Sequence, residues 1–268
     1  MLLLVSLFFL TFGRKDDTSK VAFKESVVQL STHKLATYSI ESNSKYLVVF
    51  ESGLGDDHSV WKFKKVVKDI SATMDVVVYD RAGYGKSTID NTPRDINRLS
   101  IELASVVNKY AKDRKVILVG HSLGGMVIRD FAIKHPDIVA GVLFIDPSHE
   151  NYNHPEQAVE DMIYNAFNSS KGADFGGTKE ARELIEDAAY MAALPNMPNV
   201  PVVVLSSMKT DARHSAIDRQ NWYNAHELFK NGVTDFTHVT TTKSGHYIMI
   251  DEPRLVIDNL NLLVAKLP

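Results

Sequence analysis

The most informative stretch of this chain is Val116-Ile117-Leu118-Val119-Gly120-His121-Ser122-Leu123-Gly124-Gly125-Met126. Its first four residues are branched and apolar, which is typical of a strand buried on both faces. A Gly-x-Ser-x-Gly pentapeptide follows, and apolar residues then recur at helical spacing. A strand, a sharp turn and a helix in this order predict a nucleophile elbow, in which the hydroxyl of Ser122 is exposed on a strained turn. The flanking glycines would let backbone and helix pass close to that serine.

Strand-like and helix-like segments alternate on both sides of this stretch. Apolar runs at 46–50, 75–79, 139–145, 202–205 and 236–241 predict further strands, and amphipathic faces between them predict helices. Two short runs at 26–30 and 35–40 predict an antiparallel hairpin at a sheet edge. This alternation predicts an α/β fold with a mostly parallel sheet covered by helices on both faces.

The segment between Ser148 and about Pro201 departs from the alternation. Charged helical stretches at 156–167 and 179–193 flank a glycine-containing loop at 169–178. About fifty residues are too many for an ordinary connection between two strands. We therefore predict a small helical cap at about residues 148–200, inserted after the strand that ends at Asp146.

The N-terminal segment is expected to lie outside the folded domain. Residues 1–12 are almost entirely apolar, and a polar linker follows to about residue 24, so that the domain would span 25–268. The apolar run is too short to span a bilayer but fits the core of a secretory signal, although no basic residue precedes it. A start site placed too far downstream would explain that lack. We predict a secreted or membrane-associated protein, touching membrane only through this segment; the alternative is a cytoplasmic one.

Composition narrows the class of protein. A hydrophobic content of 44% and a charged content of 24% are ordinary for one globular domain of 268 residues. The net charge of −3 argues against nucleic acid as a partner. The absence of cysteine excludes disulfides, thiolate metal sites and a cysteine nucleophile.

A serine nucleophile needs a histidine to accept its proton and a carboxylate to orient that histidine. Of the ten histidines, His246 fits best, because it follows a small-residue turn after the last predicted strand. His121 adjoins Ser122, so its side chain should point elsewhere and pack within the protein. His238 lies in the middle of a strand, where a half-buried structural role is expected.

Two aspartates are candidates for the acid. Asp146 ends the strand after the elbow helix, and Asp211 follows the next strand. Either keeps the chain order serine, acid, histidine that goes with a nucleophile elbow. We favour Asp146, since no glycine turn near Asp211 would hold its carboxylate at the strand end. Asp211 remains the alternative.

A tetrahedral intermediate also needs N–H donors for its oxyanion. The elbow itself supplies the amide of Leu123. The second donor should come from the loop Ser52-Gly53-Leu54-Gly55, where we predict the amide of Leu54. Glu51 adjoins this loop and is a candidate partner for Arg81 in a structural brace.

These motifs together resemble the α/β-hydrolase superfamily, from about Ser26 to the C-terminus. The carrying motifs are Glu-Ser-Gly-Leu-Gly at 51–55, Asp-Arg-Ala-Gly-Tyr-Gly-Lys-Ser at 80–87 and Gly-His-Ser-Leu-Gly-Gly at 120–125. The resemblance implies Ser122 as nucleophile, His246 as general base and a cap that shapes the acyl pocket. Ser52 replaces the usual histidine of the His-Gly motif, and the usual Gly-x-x-Asp acid motif is missing, which further favours Asp146. A serine at the elbow disfavours the epoxide and haloalkane chemistry that aspartate performs in this superfamily.

The sequence thus predicts a serine hydrolase that needs no cofactor or metal and acts on a small-molecule acyl substrate. A carboxylic ester with a small or medium acyl group is the expected substrate. Amides, lactones, peroxyacid formation and carbon–carbon cleavage remain alternatives, because a fold does not fix a function. A ligand receptor without hydrolytic activity is the alternative from another class.

Overall fold

The structure of the protein is a computed structural model, which describes residues 23–61 and 66–268. The apolar segment 1–12 lies outside these ranges, and so do the predictions of export and membrane contact that depend on it. Within the described ranges, no helix combines the length and apolarity needed to cross a bilayer.

An eight-stranded sheet forms the centre of the molecule, in the order β1-β2-β4-β3-β5-β6-β7-β8. In chain order the strands are β1 (Lys24–Gln29), β2 (Lys34–Ile40), β3 (Leu47–Glu51), β4 (Asp75–Tyr79), β5 (Val116–His121), β6 (Val139–Ile145), β7 (Val202–Ser207) and β8 (Phe236–Thr241). The β1/β2 and β2/β4 pairs are antiparallel, and every other pair is parallel. The predicted mostly parallel sheet and its edge hairpin are both confirmed.

Burial follows the position of each strand in the sheet. All residues of β3, β5 and β6 are buried, because helices cover both faces of the sheet there. β8 forms one edge and is mostly half-buried. The strand that leads into the elbow, β5, therefore runs through the middle of the molecule, between β3 and β6.

Helices pack on both faces. They are α1 (Val66–Ser71), α2 (Ile96–Ala111), α3 (Leu123–Lys134), α4 (Gln157–Lys171), α5 (Gly176–Glu180), α6 (Leu184–Ala192), α7 (Ala216–Glu227), α8 (Ile248–Asp251) and α9 (Pro253–Ala265). Short 3-10 turns lie at His58–Trp61 and Leu228–Lys230. The apolar sides of α2 and α3 fill one core cluster, and those of α1 and α9 fill the other.

Three helices, α4, α5 and α6, lie between β6 and β7; we call residues 148–200 the insertion. The sequence predicted a loop over 169–178, but α5 begins inside that range, at Gly176. The reason is tertiary: the amide of Gly176 donates to the carbonyl of Gly83 at 3.1 Å. A Cβ at Gly176 would lie 2.4 Å from the carbonyl oxygen of Ala82. Glycine thus lets the insertion dock against the loop that follows β4, and no local pattern records that contact.

Candidate active site

Ser122 lies between β5 and α3 in a strained conformation. Its φ of 54° and ψ of −123° are unusual for a residue with a side chain. Close contacts explain the glycines around it. A Cβ at Gly124 would lie 2.5 Å from the carbonyl oxygen of Glu51, and one at Gly120 would lie 2.6 Å from Ile128 Cδ1. The turn has the form that the Gly-x-Ser-x-Gly motif predicts.

A cavity of about 520 Å³ opens above this turn. Ser122, Asp146 and His246 all line it, together with Leu54 from the loop after β3. The insertion forms one wall through residues that include Tyr152, Leu184, Asp187 and Ala188, and the segment 212–222 contributes another. The cavity is therefore enclosed by several loops at the carboxyl ends of the parallel strands, where α/β folds bind ligands.

The structure brings Asp146 to His246. Nδ1 of His246 lies 2.7 Å from Oδ2 of Asp146, which is fully buried. Oδ1 of Asp146 accepts hydrogen bonds from the indole of Trp222 at 2.7 Å and from the amide of Ser207 at 2.8 Å. Burial alone would raise the pKa of Asp146, but hydrogen bonds from His246 and Trp222 outweigh it and hold the pKa below its ordinary value. The carboxylate is thus kept ionised and fixed in place.

Asp211 lies elsewhere and serves its own loop. Its Oδ1 accepts hydrogen bonds from the amides of Arg213 and His214 at 2.8 and 2.9 Å, and the ring of His214 lies 3.0 Å away. The residue is exposed. Among the described residues, Asp211 has no hydrogen bond or ion pair with His246. Its carboxylate acts as a turn acceptor, a common role for aspartate.

The predicted oxyanion loop touches the elbow. A Cβ at Gly53 would lie 3.1 Å from Cβ of Ser122, so the backbone of this loop packs directly against the serine. Leu54 and Leu123 both line the cavity. Leu123 is the first residue of α3, where a helix has no internal acceptor for its amide. The two predicted donors thus lie on adjoining pieces of backbone beside Ser122.

A buried arginine binds the backbone of the predicted oxyanion loop. Arg81 donates to the carbonyl oxygens of Ser52 at 2.6 Å and Gly53 at 2.8 Å, and to the carboxylate of Glu51 at 2.8 Å. Its remaining donors bind Glu180 of the insertion at 2.7 and 2.9 Å. The suggested contact between Glu51 and Arg81 is confirmed. Glu180 belongs to no motif of the sequence, so the contact between this loop and the insertion depends on the tertiary structure alone.

His121 and Asp56 are two further polar residues that line the cavity. His121 is buried, and its Nε2 lies 3.0 Å from the carbonyl oxygen of His246. Burial, with a smaller contribution from His246, lowers the pKa of His121 to about 3, so its ring is neutral. Its Nδ1 lies 3.9 Å from Oδ2 of Asp56, and burial raises the pKa of Asp56 to about 6. His121 thus packs away from the serine hydroxyl, as expected from its position in the chain.

Sequence reasoning missed Trp222 and Ser207, the two residues that share Oδ1 of Asp146. Neither belongs to a recognisable motif. Trp222 is one of two tryptophans in the chain and lies in the predicted helical segment between the strands 202–205 and 236–241. A buried indole N–H usually has a hydrogen-bond acceptor, and this tendency was the available signal for its contact with a carboxylate.

Two clusters of metal-ligand types occur within the described ranges, and both lie outside the residues that line the cavity. They are His33, Asp90 and Glu102, and Asp57, His58 and Asp80. Arg94 already pairs with Asp90 and Glu102. His58 Nδ1 lies 2.6 Å from Asp80, and its ring stacks on Tyr38. Contacts within the protein therefore account for both clusters: ion pairs with Arg94 in the first, and a hydrogen bond and a ring contact in the second.

The fold and this site agree with the similarities of the chain to known proteins. The chain belongs to the alpha/beta hydrolase fold family, whose model matches residues 46–261. It is 25% identical over 241 residues to the uncharacterized protein YqjL of Bacillus subtilis (strain 168), covering 88% of this chain and 90% of that protein. It is 29% identical over 114 residues to the (Lyso)-N-acylphosphatidylethanolamine lipase of Homo sapiens, covering 41% of this chain but 33% of that protein.

Among solved structures, Epoxide Hydrolase A from Mycobacterium thermoresistibile superposes with a TM-score of 0.72, covering 92% of this chain and 99% of that one. At 16% sequence identity this similarity supports the fold but does not indicate which reaction the protein catalyses. Membership of the alpha/beta hydrolase fold family, rather than this likeness, supports a hydrolase that acts on a small molecule.

Proposed function

We propose that the protein is a serine carboxylic-ester hydrolase that works through an acyl-enzyme on Ser122. One observation carries this proposal: the buried Asp146 is hydrogen-bonded to His246 in the wall of the cavity that Ser122 lines. A neutralising partner and a fixed orientation are what a histidine needs to act as general base toward serine. The similarity of part of the chain to the human lipase named above also supports the proposal.

In the proposed reaction, Oγ of Ser122 attacks the ester carbonyl while His246 accepts the hydroxyl proton. The amides of Leu54 and Leu123 stabilise the oxyanion, and Asp146 stabilises the imidazolium. The intermediate collapses by breaking the bond to the alkoxide, which takes the proton from His246. A water molecule then attacks the acyl-enzyme with the same proton transfers and releases the acid.

Apolar side chains in the cavity favour a small or medium acyl group. Leu54, Met126, Leu184 and Ala188 line it, and its volume of about 520 Å³ is in the range of small-ligand sites. The serine at the elbow favours acyl transfer. Epoxide and haloalkane reactions are disfavoured, because the proteins of this superfamily that perform them have an aspartate at that position.

Labelling with a fluorophosphonate tests the nucleophile. Wild-type protein should be labelled at Ser122, and Ser122→Ala should abolish labelling, because that variant lacks the attacking hydroxyl. Ser148→Ala is the matched control, since Ser148 also lines the cavity and should be dispensable. A wild-type protein that is not labelled would argue for the non-hydrolytic receptor. Labelling without turnover of p-nitrophenyl butyrate would favour another acyl substrate.

A further inference from the structure

Helix α6 of the insertion turns one side toward the active-site cavity. Leu184, Asp187 and Ala188 all line the cavity. Their spacing places them on one face of the helix. A carboxyl group therefore lies between two apolar neighbours on the wall of the proposed substrate pocket. The catalytic residues proposed above do not include it.

Each oxygen of Asp187 has a different environment. Oδ1 accepts a hydrogen bond of 2.7 Å from the amide of Ile96, the first residue of α2. Oδ2 is buried and has no hydrogen-bond partner within residues 23–61 and 66–268. The residue as a whole is only 2% exposed. Buried polar atoms are nearly always hydrogen-bonded, and Asp187 is one of the residues that line the cavity. The missing partner is thus expected to be a bound molecule.

The surroundings of Asp187 favour its neutral form. Burial is the main cause that raises its pKa, to about 8, and the carboxylates of Asp95, Glu183 and Glu180 raise it further. The hydrogen bond from the amide of Ile96 lowers this pKa, but by less. Asp95 lies at the start of α2, Glu183 at the start of α6 and Glu180 on α5. Glu160 of α4 is a further acid, which accepts a hydrogen bond from the amide of Ile185. The positive charge of Arg81 is paired with Glu180. At neutral pH the group is therefore a carboxylic acid, which can donate through its second oxygen.

We propose that Asp187 is a substrate-binding residue, whose free oxygen binds an ether or carbonyl oxygen that the substrate carries away from its ester bond. This inference rests on the proposed ester hydrolysis and adds a substrate class to it. The flanking Leu184 and Ala188 would contact the hydrocarbon on either side of that oxygen. A substrate ammonium group is disfavoured, because these apolar neighbours would not solvate a cation.

The test is a panel of paired esters. In one series, p-nitrophenyl esters of straight-chain acids are compared with analogues in which an ether oxygen replaces one methylene, at each position in turn. In a second series, acetate esters of alcohols carry the same replacement. The measured quantity is the ratio of kcat/KM within each pair, divided by the same ratio for a variant. Intrinsic reactivity and any pH dependence of the catalytic step itself cancel in this double ratio.

Wild type should prefer the ether at one position, and Asp187→Leu should lower that preference about tenfold, as expected for one lost hydrogen bond. Asp187→Asn keeps an acceptor for Ile96 and a permanent donor at the second position, so it should retain the preference. As the pH rises past about 8, wild type should lose the preference while Asp187→Asn does not. Glu186→Gln, an exposed position on the same helix, should behave like wild type.

Three outcomes would overturn the inference. A panel without any pair that depends on Asp187 would show that this oxygen has no ligand role. A preference that Asp187→Asn and Asp187→Leu lose equally would indicate only a structural role. Ammonium-bearing esters are assayed beside the panel, and a preference for them that Asp187→Leu abolishes would reverse the assigned chemistry. Fluorophosphonate labelling of the same samples separates these results from failure of the proposed function, in which wild type would not be labelled at all.

Discussion

Residues 23–61 and 66–268 contain two serine–histidine–carboxylate sets; the serine of one follows β5, and the serine of the other lies in β7. In the first, Ser122 and His246 line the cavity, and His246 is hydrogen-bonded to Asp146. In the second, Oγ of Ser206 lies 2.7 Å from Nε2 of His238, whose Nδ1 lies 2.5 Å from Glu227. The second set has the residue types and the contacts of a catalytic triad, but Ser206 is fully buried.

The difference lies in the backbone around each serine. Ser206 lies within the regular strand β7, where its hydroxyl is enclosed and also contacts Nδ1 of His226 at 2.5 Å. Ser122 lies just beyond β5, and its positive φ turns it out of the strand toward the cavity. The two predicted oxyanion donors belong to the loop that packs against Ser122 and to Leu123, the first residue of α3. Access to the cavity and the predicted oxyanion donors, rather than a serine next to a histidine, therefore distinguish a candidate nucleophile from a structural hydrogen-bond chain.

Removing the acid from each set should separate them most strongly. Asp146→Asn is expected to lower kcat about 10³- to 10⁴-fold, because an amide no longer stabilises the imidazolium. Glu227→Gln should change kcat little, since Ser206 meets no substrate. Hydrolysis of p-nitrophenyl butyrate measures both, and Asp211→Asn tests the alternative acid in the same assay.

Near-normal kcat in Asp146→Asn together with a large loss in Asp211→Asn would move the acid role to Asp211. A large loss in Glu227→Gln would erase the distinction between the two sets.

Trp222 is expected to act as a positioning residue for the first set. Trp222→Phe removes the indole donor to Asp146 while keeping an aromatic ring, so the pKa of Asp146 should rise and kcat should fall about tenfold. KM should change less, because the cavity keeps most of its shape. A double-mutant cycle provides the control: in the Asp146→Asn background, Trp222→Phe should have a much smaller effect on kcat. Equal effects in both backgrounds would contradict a role through Asp146.

His226, whose ring contacts Ser206 of the second set, should make the stability of the protein depend on pH in the acid range. Burial lowers the pKa of His226 to about 3, from an ordinary value of 6.5. Between these values the unfolded chain binds a proton that the folded protein does not, so stability falls as the pH drops from about 6.5 toward 3. The slope for one such group approaches about 1.4 kcal/mol per pH unit. His226→Gln should remove that share of the slope, measured by urea unfolding at several pH values.

His121 and His149 have lowered pKa values from burial and should preserve the rest of the acid sensitivity in His226→Gln. The exposed His135 offers the matched control, His135→Gln. An unchanged slope in His226→Gln would show that His226 is not the neutral, buried group described here.

Much of the sheet could be predicted from the sequence because burial on both faces leaves a local pattern. The predicted strands 75–79, 139–145 and 236–241 have the same bounds in the structure. The insertion was less predictable: α5 depends on the docking of Gly176 against Gly83, far away in the chain. Short helices such as α5 and α8 have too few residues for a periodic pattern, so tertiary contacts decide them.

Ser122 and its turn were evident from local sequence, because a strand, two close glycine contacts and a helix must be adjacent in the chain to build an elbow. His246 could be predicted from its place after the last strand. For the carboxylate partner of His246, the sequence favoured Asp146 but left Asp211 open, since both follow parallel strands in a permitted order. The structure brings Asp146 to His246 through contacts with Trp222 and Ser207, which lie 76 and 61 residues away from Asp146. Burial, charge and access at this site arise from distant segments meeting at one edge of the sheet, and only the tertiary structure determines which segments meet.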